Sequence, residues 1–86
     1  MYRVMIVDDE RVVCQGMQRL IDWGAYGFQV VQTAANGQEA LELQLQEHFD
    51  LIVTDLKMPR MDGVELVRQL SMRRETCKVI IVSAYG

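Results

Sequence analysis

Four short apolar runs divide the chain, and between them apolar residues recur at helical spacing. Tyr2–Val7 (YRVMIV) is a β-branched run that stops at two aspartates. Residues 11–21 carry Val13, Met17, Leu20 and Ile21 along one face, the spacing of an amphipathic helix. Trp23-Gly24 suits the end of that helix, because glycine accepts the left-handed conformation past a C-terminus. Phe28–Ala34 (FQVVQTA) predicts a second strand, with Gln29 and Gln32 suggesting an edge position. Asn36-Gly-Gln-Glu39 has the form of a capping box, in which Asn36 bonds a free amide and Glu39 reaches back. The helix it opens runs to about Gln46 and turns Ala40, Leu41 and Leu45 inward. Leu51–Thr54 (LIVT) predicts a buried strand ending at Asp55. Asp62-Gly-Val-Glu65 is a second capping pattern, opening a helix with Val64, Val67, Leu70 and Ser71 along one side. Val79–Val82 (VIIV) is the fourth strand and stops at Ser83.

Continuous apolar strands alternating with amphipathic helices indicate a parallel sheet covered on both faces. Right-handed crossovers fix the hand of each unit. The expected fold is doubly wound α/β, with four strands and three helices.

Composition changes this picture little. The 86 residues allow one domain, and the text has no linker, repeat or low-complexity tract. A net charge of −3 without a basic run argues against a nucleic-acid-binding surface. The two cysteines, Cys14 and Cys77, form no CxxC pair or disulfide framework and suit small buried positions. With no secretory signal and no long apolar span, a cytoplasmic setting without membrane association is expected.

The candidate chemistry lies where the strands stop. Asp8 and Asp9 follow the first strand, Asp55 follows the third and Ser83 the fourth. In a parallel sheet all these ends share one edge, where open α/β sheets bind ligands. If the first and third strands are neighbours, as in the flavodoxin-like order 2-1-3-4, three carboxylates meet in one crevice. Such a concentration of charge is costly unless a cation relieves it. Hard oxygen donors, few and open to water, suit Mg²⁺ better than zinc or a caged calcium. A strand-terminal Asp is more often a cap or turn residue, and Asp62 fits that role. Asp9 has the position to cap the first helix. From spacing alone, capping and functional readings of Asp8, Asp9 and Asp55 stand side by side.

The chain resembles a response-regulator receiver domain of bacterial two-component systems along its whole length. The resemblance rests on Asp8-Asp9-Glu10, on the run Asp55-Leu-Lys-Met-Pro-Arg-Met-Asp-Gly63, and on Ser83-Ala84 after the fourth strand. Ile21-Asp-Trp23 and Asn36-Gly37 further resemble receivers joined to AraC-type DNA-binding domains. The resemblance implies that Asp55 accepts a phosphoryl group from a sensor histidine kinase. Asp8, Asp9, Asp55 and the backbone carbonyl of Lys57 would hold Mg²⁺. Ser83 and the Ala84 amide would contact the phosphoryl oxygens, Met58-Pro59 would shape the loop, and Gly63 would let it turn into the third helix. The implied role is a phosphoacceptor that regulates an output, not a turnover enzyme.

A receiver of that family continues through a fourth helix, a fifth strand ending in lysine and a fifth helix. On that comparison residues 1–86 would be a receiver lacking its C-terminal third, with no DNA-binding domain. Lys57 and Lys78 do not replace the lysine, so uptake is expected to be slow. The uncovered fourth strand is expected to pair with a second copy. Two other readings remain at this stage. One is a Mg²⁺-dependent phosphohydrolase or phosphotransferase working through an aspartyl phosphate, although such enzymes place the nucleophile after the first strand. The other is an engineered or truncated structural fragment without signalling activity.

Some residues invite more than they support. His48, the single histidine, lies at a helix end and reads as a solvated side chain, not a phosphodonor. Met5 and Met17 read as core filler, Trp23 as a packing residue or partner contact, and Arg73-Arg74-Glu75 as a solvated helix end.

Overall fold

The computed structural model describes residues 1–82. Its elements are β1 (Tyr2–Val7), α1 (Arg11–Leu20), β2 (Phe28–Ala34), α2 (Gly37–Glu47), β3 (Leu51–Asp55), α3 (Gly63–Met72) and β4 (Lys78–Val82), with a short 3-10 turn over Trp23–Tyr26. The strands form one sheet in the order β2-β1-β3-β4. Every pairing is parallel, with Val7 opposite both Ala34 and Thr54, and Thr54 opposite Ile81. This is the flavodoxin-like order expected of the sequence.

Alternation along the central strands divides the core in two. Met5, Val7 and Ile52 face α2 and α3, where they join Ala40, Leu41, Phe49, Leu66 and Leu70. Val4, Ile6, Leu51 and Val53 face the other way and meet Cys14, with Met17, Trp23 and Phe28 packed around them. Both central strands are therefore covered on both sides, which explains their unbroken apolar runs.

Three helix faces differ from the periodic reading. In α3 the buried stripe is Gly63, Leu66 and Leu70, whereas Val64 and Val67 are exposed. Gly63 decides this: a Cβ there would lie 2.6 Å from the backbone oxygen of Asp55, so the face carrying Gly63 must point inward. In α1, Cys14 is buried and Val13 and Met17 are half-buried, but Leu20 and Ile21 are exposed because the contact with the sheet is centred on Cys14. In α2, Ala40 and Leu41 are buried as expected, but Gln44 takes the place expected for Leu45. Its amide replaces water by donating to the Phe49 carbonyl (3.2 Å) and the Glu75 carboxylate (3.1 Å), while its oxygen accepts from the Phe49 amide (3.1 Å). Glu75 is thus a structural anchor and not part of a solvated end; it also meets the exposed His48 at 3.3 Å. The left-handed glycine after α1 is Gly27 (φ 82°) and not Gly24, because the chain makes its 3-10 turn before reversing.

Leu66 is fully buried between α2 and the sheet. Leu66→Ala should therefore cost about 3 kcal/mol, most of it from the cavity left behind, and urea unfolding would measure it. A loss under about 1 kcal/mol would mean that α3 is not seated as described.

Candidate phosphoacceptor site

The acidic crevice forms because β1 and β3 are neighbours and end at the same edge. Asp8 follows Val7, whose register partner on β3 is Thr54, so Asp8 and Asp55 leave the sheet side by side. Carboxylate oxygens of Asp8, Asp9 and Asp55 all lie within 4.8 Å of one another. They open onto a cavity of about 610 Å³ whose wall includes Glu10, Thr54, Leu56 and Lys57.

Each central carboxylate is fixed by its own backbone. Asp8 Oδ1 accepts the Glu10 amide at 2.9 Å, and Asp55 Oδ1 accepts the Leu56 amide at 2.8 Å. Among the described residues no hydrogen bond engages the second oxygen of either. Asp8, not Asp9, ties the loop to the start of α1; the capping position belongs to Glu10, which makes no side-chain cap bond. Asp9 is exposed at the mouth of the cluster. Asp62 caps α3 by accepting the Glu65 amide at 2.8 Å, and Asn36 caps α2 by accepting the Glu39 amide at 2.8 Å. Glu65 does not complete the box and instead holds Arg68 and Gln69. Thr54, fully buried, donates to the Asp55 carbonyl at 2.9 Å and stiffens the strand end. Ser83 and Ala84 lie outside the described residues.

The donor set fits a small hard cation. Octahedral Mg²⁺ with oxygens at about 2.1 Å holds its ligands roughly 3–4 Å apart. Oxygens already within 4.8 Å of one another reach that spacing by side-chain adjustment. The crevice is a costly place for the Asp8 charge. Burial pushes the Asp8 carboxyl above its ordinary 3.8, the Glu10 amide offsets part of this, and the charges of Asp55, Asp9 and Glu10 add to the rise. The folded chain therefore holds the Asp8 proton to higher pH than the unfolded chain. Stability from this residue is greatest below the ordinary value and falls as pH rises through the raised one.

Asp8→Asn keeps the acceptor for the Glu10 amide and removes the charge. Without Mg²⁺ at pH 7 it should stabilise the fold by about 0.5 kcal/mol, a figure reduced for solvent screening, or roughly 2–4 °C in a thermal melt. The gain should vanish in acid. An unchanged or lowered midpoint at pH 7 would show that the carboxylate carries no such cost.

The response regulator receiver domain family matches residues 4–86. The chain belongs to that family. It is 42% identical over 85 residues to the transcriptional regulatory protein HptR of Staphylococcus aureus (strain N315), covering 99% of this chain and 33% of that protein. A two-component transcriptional regulator AraC from Clostridium phytofermentans superposes with a TM-score of 0.89 at 36% identity, covering all of this chain and 67% of that one. CheY in a CheX–CheY–BeF3–magnesium complex from Borrelia burgdorferi gives a TM-score of 0.86 at 29% identity, covering 99% and 63%. The receiver chain thus spans about a third of the length of the curated relative. Membership favours the signalling reading over the hydrolase one, in keeping with the adjacent Asp8-Asp9 pair. No described helix is long and apolar enough to cross a membrane.

Proposed function

We propose that residues 1–86 act as a phosphoacceptor unit in which Asp55 takes a phosphoryl group from the phosphohistidine of a sensor kinase. The observation that carries this reading is the convergence of Asp8, Asp9 and Asp55, with Asp55 held rigidly at the end of a buried strand. An Asp55 oxygen attacks phosphorus, an O–P bond forms as the donor's N–P bond breaks, and the imidazole nitrogen leaves with the electron pair and takes a proton. Phosphoryl transfer of this kind is mainly positioning and charge neutralisation.

Asp8, Asp9, Asp55 and the Lys57 carbonyl are the groups that would hold Mg²⁺, which neutralises charge on the phosphoryl oxygens. A structural relative was solved with BeF3 and magnesium, which supports the same ligand chemistry here. Ser83 and the Ala84 amide are the proposed contacts for the phosphoryl oxygens. The regulated output is transcription, through an AraC-type DNA-binding domain in a longer protein, a reading supported by the names of the similar regulators; a cytoplasmic setting goes with that role.

The test is incubation with acetyl phosphate and Mg²⁺ followed by intact-mass measurement. The expected result is a gain of one phosphoryl group that is suppressed by EDTA and lost on treatment with hydroxylamine. A folded chain that gains no mass, or gains an alkali-stable group, would overturn the reading.

A further inference from the structure

Between β3 and α3 the loop of residues 56–62 holds a costly conformation. Arg60 and Met61 both have positive φ, 52° and 87°. Neither is a glycine or asparagine, and such a backbone is unfavourable for a residue with a Cβ unless its surroundings enforce it.

The enforcing contact comes from the start of α2. The Gly37 amide donates to the Met61 carbonyl at 3.0 Å, and the Gln38 amide donates to the Arg60 carbonyl at 3.1 Å. A helix leaves its first amides without internal partners. Here Asn36 satisfies the Glu39 amide, and the two before it are given to the loop. The approach leaves no room for a side chain. A Cβ on Gly37 would stand 2.3 Å from the Met61 oxygen and 2.9 Å from its carbonyl carbon, both backbone atoms that no rotamer change can move. At its other end the loop is closed by the Gly63 amide donating to the Leu56 carbonyl at 2.8 Å. Between these two clamps lie Lys57 and Met58, and Asp55 immediately precedes them.

We infer that Gly37 is a positioning residue for the acidic crevice: it lets α2 grip the Arg60 and Met61 carbonyls, and so holds the loop that sets the backbone of Asp55 and Lys57. The inference deepens the phosphoacceptor reading and rests on it for its functional consequence. A purely local role for Gly37, as the first residue of a helix, would leave the crevice untouched.

Four variants of the whole chain separate these roles. Gly37→Ala adds the clashing Cβ. Asn36→Ala removes the cap on the Glu39 amide and weakens the start of α2 without pushing on the loop. Gly16→Ala is the control, since a Cβ there meets nothing within 4 Å. Replacing the Gly37 peptide N–H by an ester oxygen removes the bond to Met61 without adding bulk. That chain tests the idea even if Gly37→Ala does not fold.

With the sheet retained by circular dichroism, Gly37→Ala or the ester should shift the backbone amide resonances of Leu56, Lys57 and Met58 before any Mg²⁺ is added. Mg²⁺ affinity and the rate of uptake from acetyl phosphate should fall, on the order of tenfold for the alanine. Gly16→Ala and Asn36→Ala should change neither by more than about twofold. Unmoved loop resonances in both Gly37 variants, or an equal loss in Asn36→Ala, would overturn the inference. If the unaltered chain takes up no phosphoryl group, the Asp55 reading fails. The amide resonances still decide whether Gly37 positions the loop.

Discussion

Asp55→Asn is expected to take up no phosphoryl group from acetyl phosphate while remaining folded. The substitution is nearly isosteric, and the asparagine oxygen still accepts the Leu56 amide that Asp55 Oδ1 holds at 2.8 Å. It also removes one charge from a cluster whose oxygens lie within 4.8 Å, so stability should hold or rise slightly. A neutral amide oxygen is a poor nucleophile, and its loss removes the only covalent role assigned in the site. Loss of uptake therefore cannot be attributed to unfolding, and a thermal melt beside the mass measurement will separate the two. Among the described residues Thr54 offers no ready substitute: it is fully buried and its hydroxyl donates to the Asp55 carbonyl. His48 is exposed, but it lies past the end of α2, on the side where Glu75 meets Gln44. A phosphoryl group retained in Asp55→Asn, stable to hydroxylamine, would place acceptance on another residue and end the assignment.

The strands were legible because their signal is carried by uninterrupted β-branched and apolar residues. Tyr2–Val7 and Phe28–Ala34 have the bounds that the pattern predicts. The strand order was not legible in the strands themselves. Nothing in the apolar runs says that β1 and β3 are neighbours; the flavodoxin-like order stood as a condition, and under it Asp8, Asp9 and Asp55 come together, as the sheet order β2-β1-β3-β4 bears out. Helix faces were harder. Periodicity counts apolar residues, and it gave Gly63 no weight although its missing side chain fixes the rotation of α3 against the Asp55 carbonyl. Gln44 was misplaced for the opposite reason. A buried amide looks polar in sequence, and the groups that satisfy it, Phe49 and Glu75, lie five and 31 residues away.

The loop after Asp55 was the least legible element. Arg60 and Met61 carry no mark of left-handed backbone, since that conformation is imposed from outside by the Gly37 and Gln38 amides. Asn36-Gly37 was read as a helix start, which is correct as far as it goes. Its second use is a tertiary one, and a local motif cannot announce the segment it will touch.

The 86-residue polypeptide is expected to self-associate through β4. The two edges of the sheet are unlike. On β2 the edge is interrupted by a bulge opposite Val4 and Met5, and it carries Gln29 and Gln32. These are the ordinary protections of an edge strand. On β4, among the described residues, the outer backbone has no partner, and Ile80, Ile81 and Val82 are 52%, 41% and 44% exposed. An apolar edge without bulge or proline is a template for strand pairing with a second copy. Each 100 Å² of apolar surface reburied contributes about 2.5 kcal/mol before the entropy of association is subtracted. Light scattering at micromolar concentration should give a mass above the 9.9 kDa of one chain, falling on dilution. Ile80→Lys should shift the distribution toward the monomer, whereas Val31→Lys on the β2 edge should leave it nearly unchanged. A stable, monodisperse monomer in the unsubstituted chain would defeat the prediction, and equal effects of the two lysines would place the contact elsewhere than β4.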